Sequence, residues 1–315
     1  MSLSNEIGGY FGLECGHTAP YHTGAVLLNS ARNALRYIIR ANHITHLFVP
    51  YYTCPVVWQA LGEENVQLSY YPVNSKLEID LKNIPQEAFV LVNNYFGIKG
   101  KYIDVLTRQY PNIIVDNAQA FFAPKQGLAA FYCPRKFFGL PDGGLAICDK
   151  QIALAEESAV SYNVCAHLLK RYDLSASAGY ADFQENEKML IGQPVCKMSK
   201  LTRALMGNID YNLVRNRRLA NFQILHQALA GVNQLNLDLS SHDVPMVYPL
   251  LIDKPGLRQK LIQHKIYVAL YWPGLEKICP KNSFELILQQ YLLPLPIDQR
   301  YGEPEMKRML EVLYD

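Results

Sequence analysis

The sequence predicts an α/β fold with a mostly parallel central sheet. Between residues 45 and 149, six short apolar runs indicate buried strands, and helical patterns such as PVVWQALG and KYIDVLTRQYP lie between several of them. This alternation is typical of a parallel sheet with helices on both faces. The pattern is helical over residues 151–230, and strand-like runs return after it. We therefore expect a large domain over residues 1–235 and a smaller C-terminal α+β domain over residues 236–315.

Each element has its own signal. Apolar residues recur at helical spacing over residues 31–41, with Ser30 as a plausible N-cap. A long amphipathic helix is expected from Tyr211 to a stop at Gly231. The strands of the first domain are expected at 45–50, 66–73, 89–96, 112–118, 128–133 and 143–149. The last domain is expected to hold strands at 244–253, 266–273 and 291–298 and a helix at 303–313.

Composition narrows the class of protein. Half of the 315 residues are hydrophobic, as in a folded globular protein. The chain has 30 Lys and Arg and 28 Asp and Glu, so that its net charge is +2. This near balance does not indicate a nucleic-acid partner. Seven cysteines are scattered singly without zinc spacing, a pattern that fits reduced thiols in the cytoplasm and no metal site. No signal peptide is visible at the N-terminus, and no apolar run is long enough to span a membrane.

Two candidate binding positions stand at element ends. At the start of the first helix, Ser30 and the backbone amides of Ala31 and Arg32 could bind an anion, although Ser30 capping its own helix is the commoner arrangement. Asp116 ends a strand that is expected to be buried, and Gln119 follows three residues later. A buried carboxylate needs a partner, but Asp116 could equally cap the next turn.

Lys136 is the candidate nucleophile. It follows the strand ending at Cys133 and stands in FYCPRKFFG, the most aromatic part of the chain. Burial among aromatic rings would lower its pKa and free an amine for Schiff-base chemistry; the alternative is a surface lysine with its stem on apolar residues. Asn94 and Tyr95 close a further strand and are expected near the substrate, although Asn94 could simply organise a turn into Gly97.

An anion site, a buried acid and a desolvated lysine together match the needs of pyridoxal 5'-phosphate. The stretches LNSARNAL, VPYYTCPVV, NNYFG, VDNAQAFF and CPRKFFGLPDGG occur in the order found in the fold-type-I pyridoxal-phosphate enzymes. The chain resembles, within that group, the DegT/DnrJ-type sugar aminotransferase family. GGYFGLE near the start and PLPIDQRYG near the end are similar to the branch encoded in surface-polysaccharide gene clusters.

The resemblance implies a role for each position. Lys136 would form the imine with the cofactor aldehyde, Asp116 would pair with the pyridine nitrogen, and Gln119 would bond the ring hydroxyl. Backbone amides of Ala31 and Arg32, beside Ser30, would bind the phosphate.

The chain departs from the family at three points. Cys54 stands where an aromatic residue usually stacks on the cofactor ring, so Tyr51 or Tyr52 would have to substitute for it. Cys133 is the nearest small residue where a phosphate-binding serine usually precedes the lysine. An Asn-x-Arg motif that reaches the partner subunit's cofactor has no clean match.

The resemblance also implies a homodimer with its active sites at the interface. Residues 8–24, GGYFGLECGHTAPYHTG, are rich in aromatic residues, which are enriched at interfaces. We expect this N-terminal segment to lie over the cofactor pocket near the dimer seam, with Tyr21 or His22 close to the substrate. The alternative is a strap packed on its own subunit.

The function predicted from the sequence is a pyridoxal-phosphate aminotransferase that takes an amino donor and a nucleotide-linked keto sugar. A sugar dehydratase on the same scaffold is disfavoured, because the dehydratases of this group replace the lysine by histidine and this chain keeps Lys136. A non-catalytic descendant that binds a sugar nucleotide remains an alternative. A plain nucleotide-binding α/β protein is disfavoured because neither GxGxxG nor GxxxxGK is present.

Overall fold

The large sheet has the mixed but mostly parallel order expected from the sequence. The computed structural model describes residue 7, residues 9–16 and residues 18–315, and in this part of the chain one sheet has seven strands in the order β1-β7-β6-β5-β4-β2-β3. The strands are β1 (Val26–Leu28), β2 (His46–Pro50), β3 (Gln67–Tyr71), β4 (Val90–Asn93), β5 (Ile113–Asn117), β6 (Ala129–Tyr132) and β7 (Gly144–Cys148). Strands β3, β2, β4, β5 and β6 run parallel, whereas β7 is antiparallel to both β6 and β1. The six predicted strands are confirmed, and β1 was not predicted.

Both faces of the sheet are covered. On β4, Leu91 joins one hydrophobic core with helices α1 (Ala31–Asn42) and α2 (Pro55–Glu63), whereas Val90 and Val92 join another with α3 (Gly100–Gln109). Since side chains alternate along a strand, neighbouring residues face opposite cores. This arrangement explains why the central strands are continuous apolar runs rather than alternating ones.

A helical segment follows the sheet. It holds α4 (Ala166–Asp173), α5 (Tyr180–Met189), α6 (Lys200–Met206) and α7 (Tyr211–Leu229). Helix α7 is the long helix expected from the sequence, and Asp210 caps it by accepting a hydrogen bond from the backbone N–H of Leu213 at 2.9 Å. Asn186 of α5 donates to the carbonyl of Pro141 at 2.9 Å, which ties α5 to the loop after Lys136.

The C-terminal region builds a second, small sheet. Strand β8 (Val247–Leu251) pairs antiparallel with β9 (Leu292–Pro296), and helices α8 (Leu257–Gln263), α9 (Phe284–Tyr291) and α10 (Glu303–Tyr314) surround the pair. One hydrophobic core includes residues of both this region and the large sheet. The domain boundary near residue 235 stays a prediction.

One predicted strand, residues 266–273, is wrong. Ile266 and Val268 are buried while Tyr267 is 56% exposed, so the alternation seen in the sequence is real. The backbone there forms no β-ladder. Among the described residues the small sheet consists of β8 and β9 alone, and no strand lies beside this segment to accept its hydrogen bonds. In the described part of the chain, no helix has the length and apolar character needed to cross a membrane.

Candidate active site

A cavity opens where the carboxyl ends of β5 and β6 meet the N-terminus of α1. It has a volume of about 260 Å³. Sites in open α/β sheets form at this edge, where loops leave the strands. Seven of the predicted site residues line the cavity: Ser30, Ala31, Arg32, Cys54, Asp116, Cys133 and Lys136.

The start of α1 presents donors to the cavity. Ser30 is the N-cap, and its Oγ accepts a hydrogen bond from the backbone N–H of Asn33 at 3.1 Å. The N–H of Ala34 bonds the carbonyl of Ser30 at 2.9 Å. The backbone N–H of Ala31 lies toward Gly143, with which Ser30 forms a parallel β-bridge, and the N–H of Arg32 has no acceptor within the helix, as expected for the first turn. Ser30 therefore caps the helix, and the Arg32 amide is left for an anion.

Gly143 and Gly144 allow the sheet to approach this helix end closely. A Cβ on Gly144 would lie 2.2 Å from the carbonyl carbon of Ser30, and Gly143 adopts φ +120°, which disfavours any other residue. The N–H of Gly143 donates to the carbonyl of Asn29 at 2.9 Å. The glycine pair thus holds the α1 terminus against the first residues of β7.

Asp116 lies near the end of β5, next to Phe131 of β6 in the sheet register. Its side chain is 8% exposed, and one oxygen accepts a hydrogen bond from the N–H of Ala118 at 2.8 Å. Burial raises the pKa of Asp116, and the positive charge of Lys136 and the Ala118 bond lower it in part. A buried carboxyl that lines a cavity is suited to hold or share a proton with a basic ring nitrogen.

Lys136 is more open than the sequence analysis expected. It ends a short 3-10 turn, Pro134–Lys136, and its side chain lies in the cavity exposed to solvent. Phe137 and Phe138 instead pack into a buried aromatic cluster around Phe121. The aromatic residues next to Lys136 in sequence therefore do not enclose it.

The expected lowering of the Lys136 pKa is wrong. Desolvation lowers this pKa, but the Coulombic effect of the nearby acidic groups, Cys54 and Cys133 first and then Asp116, raises it by more, so that the pKa of Lys136 is raised overall. The physical reason is that an ammonium gains from acidic groups around it even where burial opposes charge. The ligand-free protein therefore holds Lys136 as an ammonium at neutral pH.

Two thiols line the same cavity. Cys54 is the N-cap residue of α2, and burial raises its pKa, so it is a neutral thiol at neutral pH. Cys133 is buried at the end of β6. Both small side chains stand where the resemblance would place an aromatic ring and a serine.

Four other predicted residues are buried outside the cavity lining. Gln119 accepts a bond from the N–H of Phe96 at 2.8 Å, and its Nε2 is buried without an acceptor among the described residues. Asn94 donates to Asn117 at 3.0 Å. Tyr95 donates to the carbonyl of Tyr52 at 2.6 Å, and Tyr52 donates in turn to the carbonyl of Tyr271 at 3.1 Å. Their roles toward cofactor and substrate stay predictions, since these bonds tie them to the protein interior.

Tyr21 and His22 also lie outside the cavity lining. Tyr21 is 39% exposed and donates to the carbonyl of Phe122 at 3.3 Å, and the His22 ring lies 4.1 Å from that of Tyr132. Just before them, the N–H of Thr18 bonds the carbonyl of Gly207 at 2.9 Å. This part of the N-terminal segment packs on its own subunit.

The rest of the N-terminal segment is less enclosed. Tyr10 and Phe11 are almost fully exposed. Gly8 and His17, which belong to the same segment, lie outside the described residues, as do residues 1–6. The expectation that the segment covers the cofactor pocket at a dimer seam stays a prediction.

One wall of the cavity consists of residues that were not predicted as site residues. Helix α5 contributes Phe183 and Glu187, and Leu190 follows it. Arg135 also lines the cavity and pairs with Glu187. Arg135 could have been noticed as the neighbour of Lys136; the α5 residues carry no signal in the sequence.

No protein-family model matches the chain, and no curated protein matches its sequence. Solved structures do match. The chain is similar to a DegT DnrJ EryC1 StrS aminotransferase from Brucella abortus, with 13% identity, a TM-score of 0.60, and coverage of 92% of this chain and 85% of that one. This chain has the fold-type-I aminotransferase fold.

Two further structures support that fold. NtdA from Bacillus subtilis, solved with bound cofactor PMP, has 15% identity and a TM-score of 0.66, with 95% of this chain and 77% of that chain covered. DesI, solved in the presence of its TDP-sugar product, has 17% identity and a TM-score of 0.65, with coverage of 92% and 79%. At these identities the likeness concerns the arrangement of the chain rather than its chemistry.

Proposed function

We propose that this protein is a pyridoxal-phosphate-dependent aminotransferase that transfers an amino group to a nucleotide-linked keto sugar. The observation that carries the proposal is one cavity that contains the amine of Lys136, the buried carboxyl of Asp116 and the first turn of α1 with the backbone amide of Arg32. Pyridoxal phosphate has an aldehyde, a basic ring nitrogen and a phosphate. The donor set of the cavity therefore fits this cofactor.

The cofactor, when bound, supplies a reactive aldehyde and a ring that accepts electrons. Lys136 would hold it at the aldehyde, and its Nζ, once released, would move a proton to or from the substrate carbon. Asp116 would keep the proton on the ring nitrogen. The close approach of Gly144 to Ser30 would hold the phosphate-binding amide in place relative to these two groups.

The substrate class rests on similarity. DesI is a structural neighbour that was solved in the presence of its TDP-sugar product, and the resemblance of the N- and C-terminal stretches points to surface-polysaccharide biosynthesis.

We also propose that the reaction takes place in the cytoplasm, which the seven free cysteines support. We also propose a homodimer, supported by the exposed Tyr10 and Phe11. Light scattering at micromolar concentration measures the assembly, and a strictly monomeric holoprotein contradicts the dimer.

Cofactor reconstitution tests the function. Purified protein incubated with pyridoxal phosphate is expected to gain a visible absorption band that borohydride removes, and Lys136→Ala is expected to lack both the band and amino transfer. Because the Lys136 side chain is exposed, the thermal unfolding of the ligand-free variant should match that of the wild type.

The outcomes separate the candidate functions. A band without amino transfer to any keto sugar nucleotide favours a different reaction on this fold. If no band forms but a sugar nucleotide binds, the protein is a non-catalytic descendant, which is the alternative that Cys54 and Cys133 favour. Amino transfer by Lys136→Ala would contradict the assigned mechanism.

A further inference from the structure

Two arginines line the candidate cofactor cavity, and each has a guanidinium N–H group without a hydrogen-bond acceptor among the described residues. Arg32 is the second residue of α1, and Arg135 directly precedes Lys136. Both line the cavity. The Nε–H of each guanidinium is buried and meets no acceptor among the described residues. An unsatisfied buried donor on a charged group is costly, so each arginine lacks a partner that an anion could supply.

Helix α5 and the residue after it provide the side-chain contacts of these arginines. Arg32 donates through Nη1 to the carbonyl of Leu190, and Arg135 donates through Nη2 to the carboxylate of Glu187. The Arg135 side chain is 13% exposed, whereas that of Glu187 is 47% exposed. Glu187 is thus partly solvated and bonded to Arg135, whereas Glu63, the other carboxylate that acts most strongly on Arg32, is already paired with Arg36.

The charge of Arg135 also acts on Arg32. Burial lowers the pKa of Arg32; Glu63, Cys54 and Glu187 raise it in part, and the positive charge of Arg135 lowers it. An anion bound between two like charges stabilises both of them. The first turn of α1, which carries the backbone amide of Arg32, lines the same cavity, so charged and neutral donors converge there.

We propose that Arg32 and Arg135 form a clamp for the phosphate group of the cofactor, and that Glu187 is the anion which this phosphate displaces from Arg135. The inference rests on the proposed function and assigns side chains to its phosphate site. A guanidinium presents paired donors that match the oxygens of a phosphate monoester. A carboxylate bound there in the ligand-free protein occupies part of the same donor set.

The clamp accounts for two departures of the sequence. The chain has Cys133, a weak donor, where the resemblance would place a phosphate-binding serine, and it lacks a clean Asn-x-Arg motif for the partner's cofactor. Two arginines of the same chain replace both contributions. Asn186 holds α5 against the loop after Lys136, so that Glu187 stays next to Arg135 until the phosphate arrives.

Comparing pyridoxal phosphate with pyridoxal, which lacks the phosphate, isolates the clamp. The dissociation constants of both compounds are measured in phosphate-free buffer by protein fluorescence. Arg32→Gln and Arg135→Gln are each expected to reduce the preference for pyridoxal phosphate over pyridoxal by about tenfold to a hundredfold, because a charge-assisted bond is lost. The affinity for pyridoxal itself should stay unchanged. Glu187→Gln should bind pyridoxal phosphate several times more tightly, since a competing carboxylate is removed.

Two further variants complete the test. Arg203→Gln, which removes the same charge from an exposed position on α6, should leave the preference unchanged. Arg135→Lys keeps the charge without the paired donors and should lie between the wild type and Arg135→Gln, which also covers the case in which Arg135→Gln does not fold.

The results distinguish the clamp from the proposed function. A wild-type preference that survives in Arg32→Gln and Arg135→Gln overturns the clamp alone, as does a wild type that binds both compounds equally. Unchanged or weaker binding of pyridoxal phosphate by Glu187→Gln overturns the displacement by phosphate. A wild-type protein that binds neither compound overturns the proposed function as well.

Discussion

The guanidinium of Arg218 lies over the ring of Phe137, with 4.5 Å between its central carbon and the ring centroid. Arg218 is 1% exposed and donates to the carbonyl of Met246 at 2.8 Å and to that of Phe137 at 3.5 Å. Gln299 donates to the same Phe137 carbonyl at 2.7 Å. Helix α7 and the C-terminal PLPIDQRYG stretch therefore hold the residue that follows Lys136.

Replacing Arg218 is expected to destabilise the protein. Arg218→Met keeps much of the packing volume but leaves the carbonyl of Met246 without this donor, for an expected loss of about 2 to 4 kcal/mol in the free energy of unfolding. Burial lowers the pKa of Arg218 to about 10, and the negative charge of Asp298 offsets part of that effect. Urea unfolding of the ligand-free protein measures the loss. Arg203→Met, at an exposed position, should change the free energy of unfolding by less than about 0.5 kcal/mol. Equal stability of the two variants would show that the contacts of Arg218 do not stabilise the fold.

Gly144→Ala should open the contact between β7 and α1. Its Cβ would lie 2.2 Å from the carbonyl carbon of Ser30, so backbone has to move, and overpacking of this kind costs about 1 to 3 kcal/mol. Gly62→Ala is the matched control, because a Cβ there meets nothing within 4 Å inside α2 and should stabilise the helix by about 0.5 to 1 kcal/mol. Thermal unfolding should show a lower melting temperature for Gly144→Ala and a higher one for Gly62→Ala than for the wild type. A Gly144→Ala protein as stable as the wild type means that the Ser30 contact is not tight.

Cofactor uptake should accelerate as the pH rises. The pKa of Lys136 is raised above its ordinary value in the ligand-free protein, so the free amine is the minor form below that pKa and increases about tenfold per pH unit. The initial rate of growth of the visible band should follow this increase between about pH 7 and about pH 9. Nα-acetyl-lysine, an amine with an ordinary pKa that is measured in parallel, should show the same rise per pH unit over this range. A rate that levels off near neutral pH would show that the pKa of Lys136 is lowered, as expected from the sequence, and would contradict the raised pKa.

Asp116→Asn should separate cofactor binding from turnover. The amide keeps the shape of the side chain and can still accept the Ala118 hydrogen bond, but it cannot carry the charge that holds a proton on a ring nitrogen. We expect cofactor affinity within a few fold of the wild type and a single-turnover reaction with the amino donor slowed by about a hundredfold or more. Stopped-flow absorbance measures that step. Reaction at the wild-type rate would show that Asp116 only caps the turn at Ala118.

The pattern of apolar residues in the sequence was sufficient to predict six of the seven strands of the large sheet. Strands β2 to β7 are apolar runs because both faces of the sheet are buried, and the helices between them carry an amphipathic pattern and a cap such as Ser30. The segment 266–273 has the same alternation without being a strand, because strand formation needs a neighbouring ladder and no local pattern specifies one.

The pattern of residues specifies which side chains stand at the ends of strands and helices, and it therefore predicted Ser30, Asp116 and Lys136 at one edge of a parallel sheet. The surroundings of these three groups depend on how distant parts of the chain pack together. Lys136 has a raised pKa because acidic groups from separate parts of the chain meet around it, and Arg135 faces Glu187 because α5 folds back over the cavity. Charges and donors that are distant in sequence converge only through packing, and their interaction depends on separations of a few ångströms that no local pattern encodes.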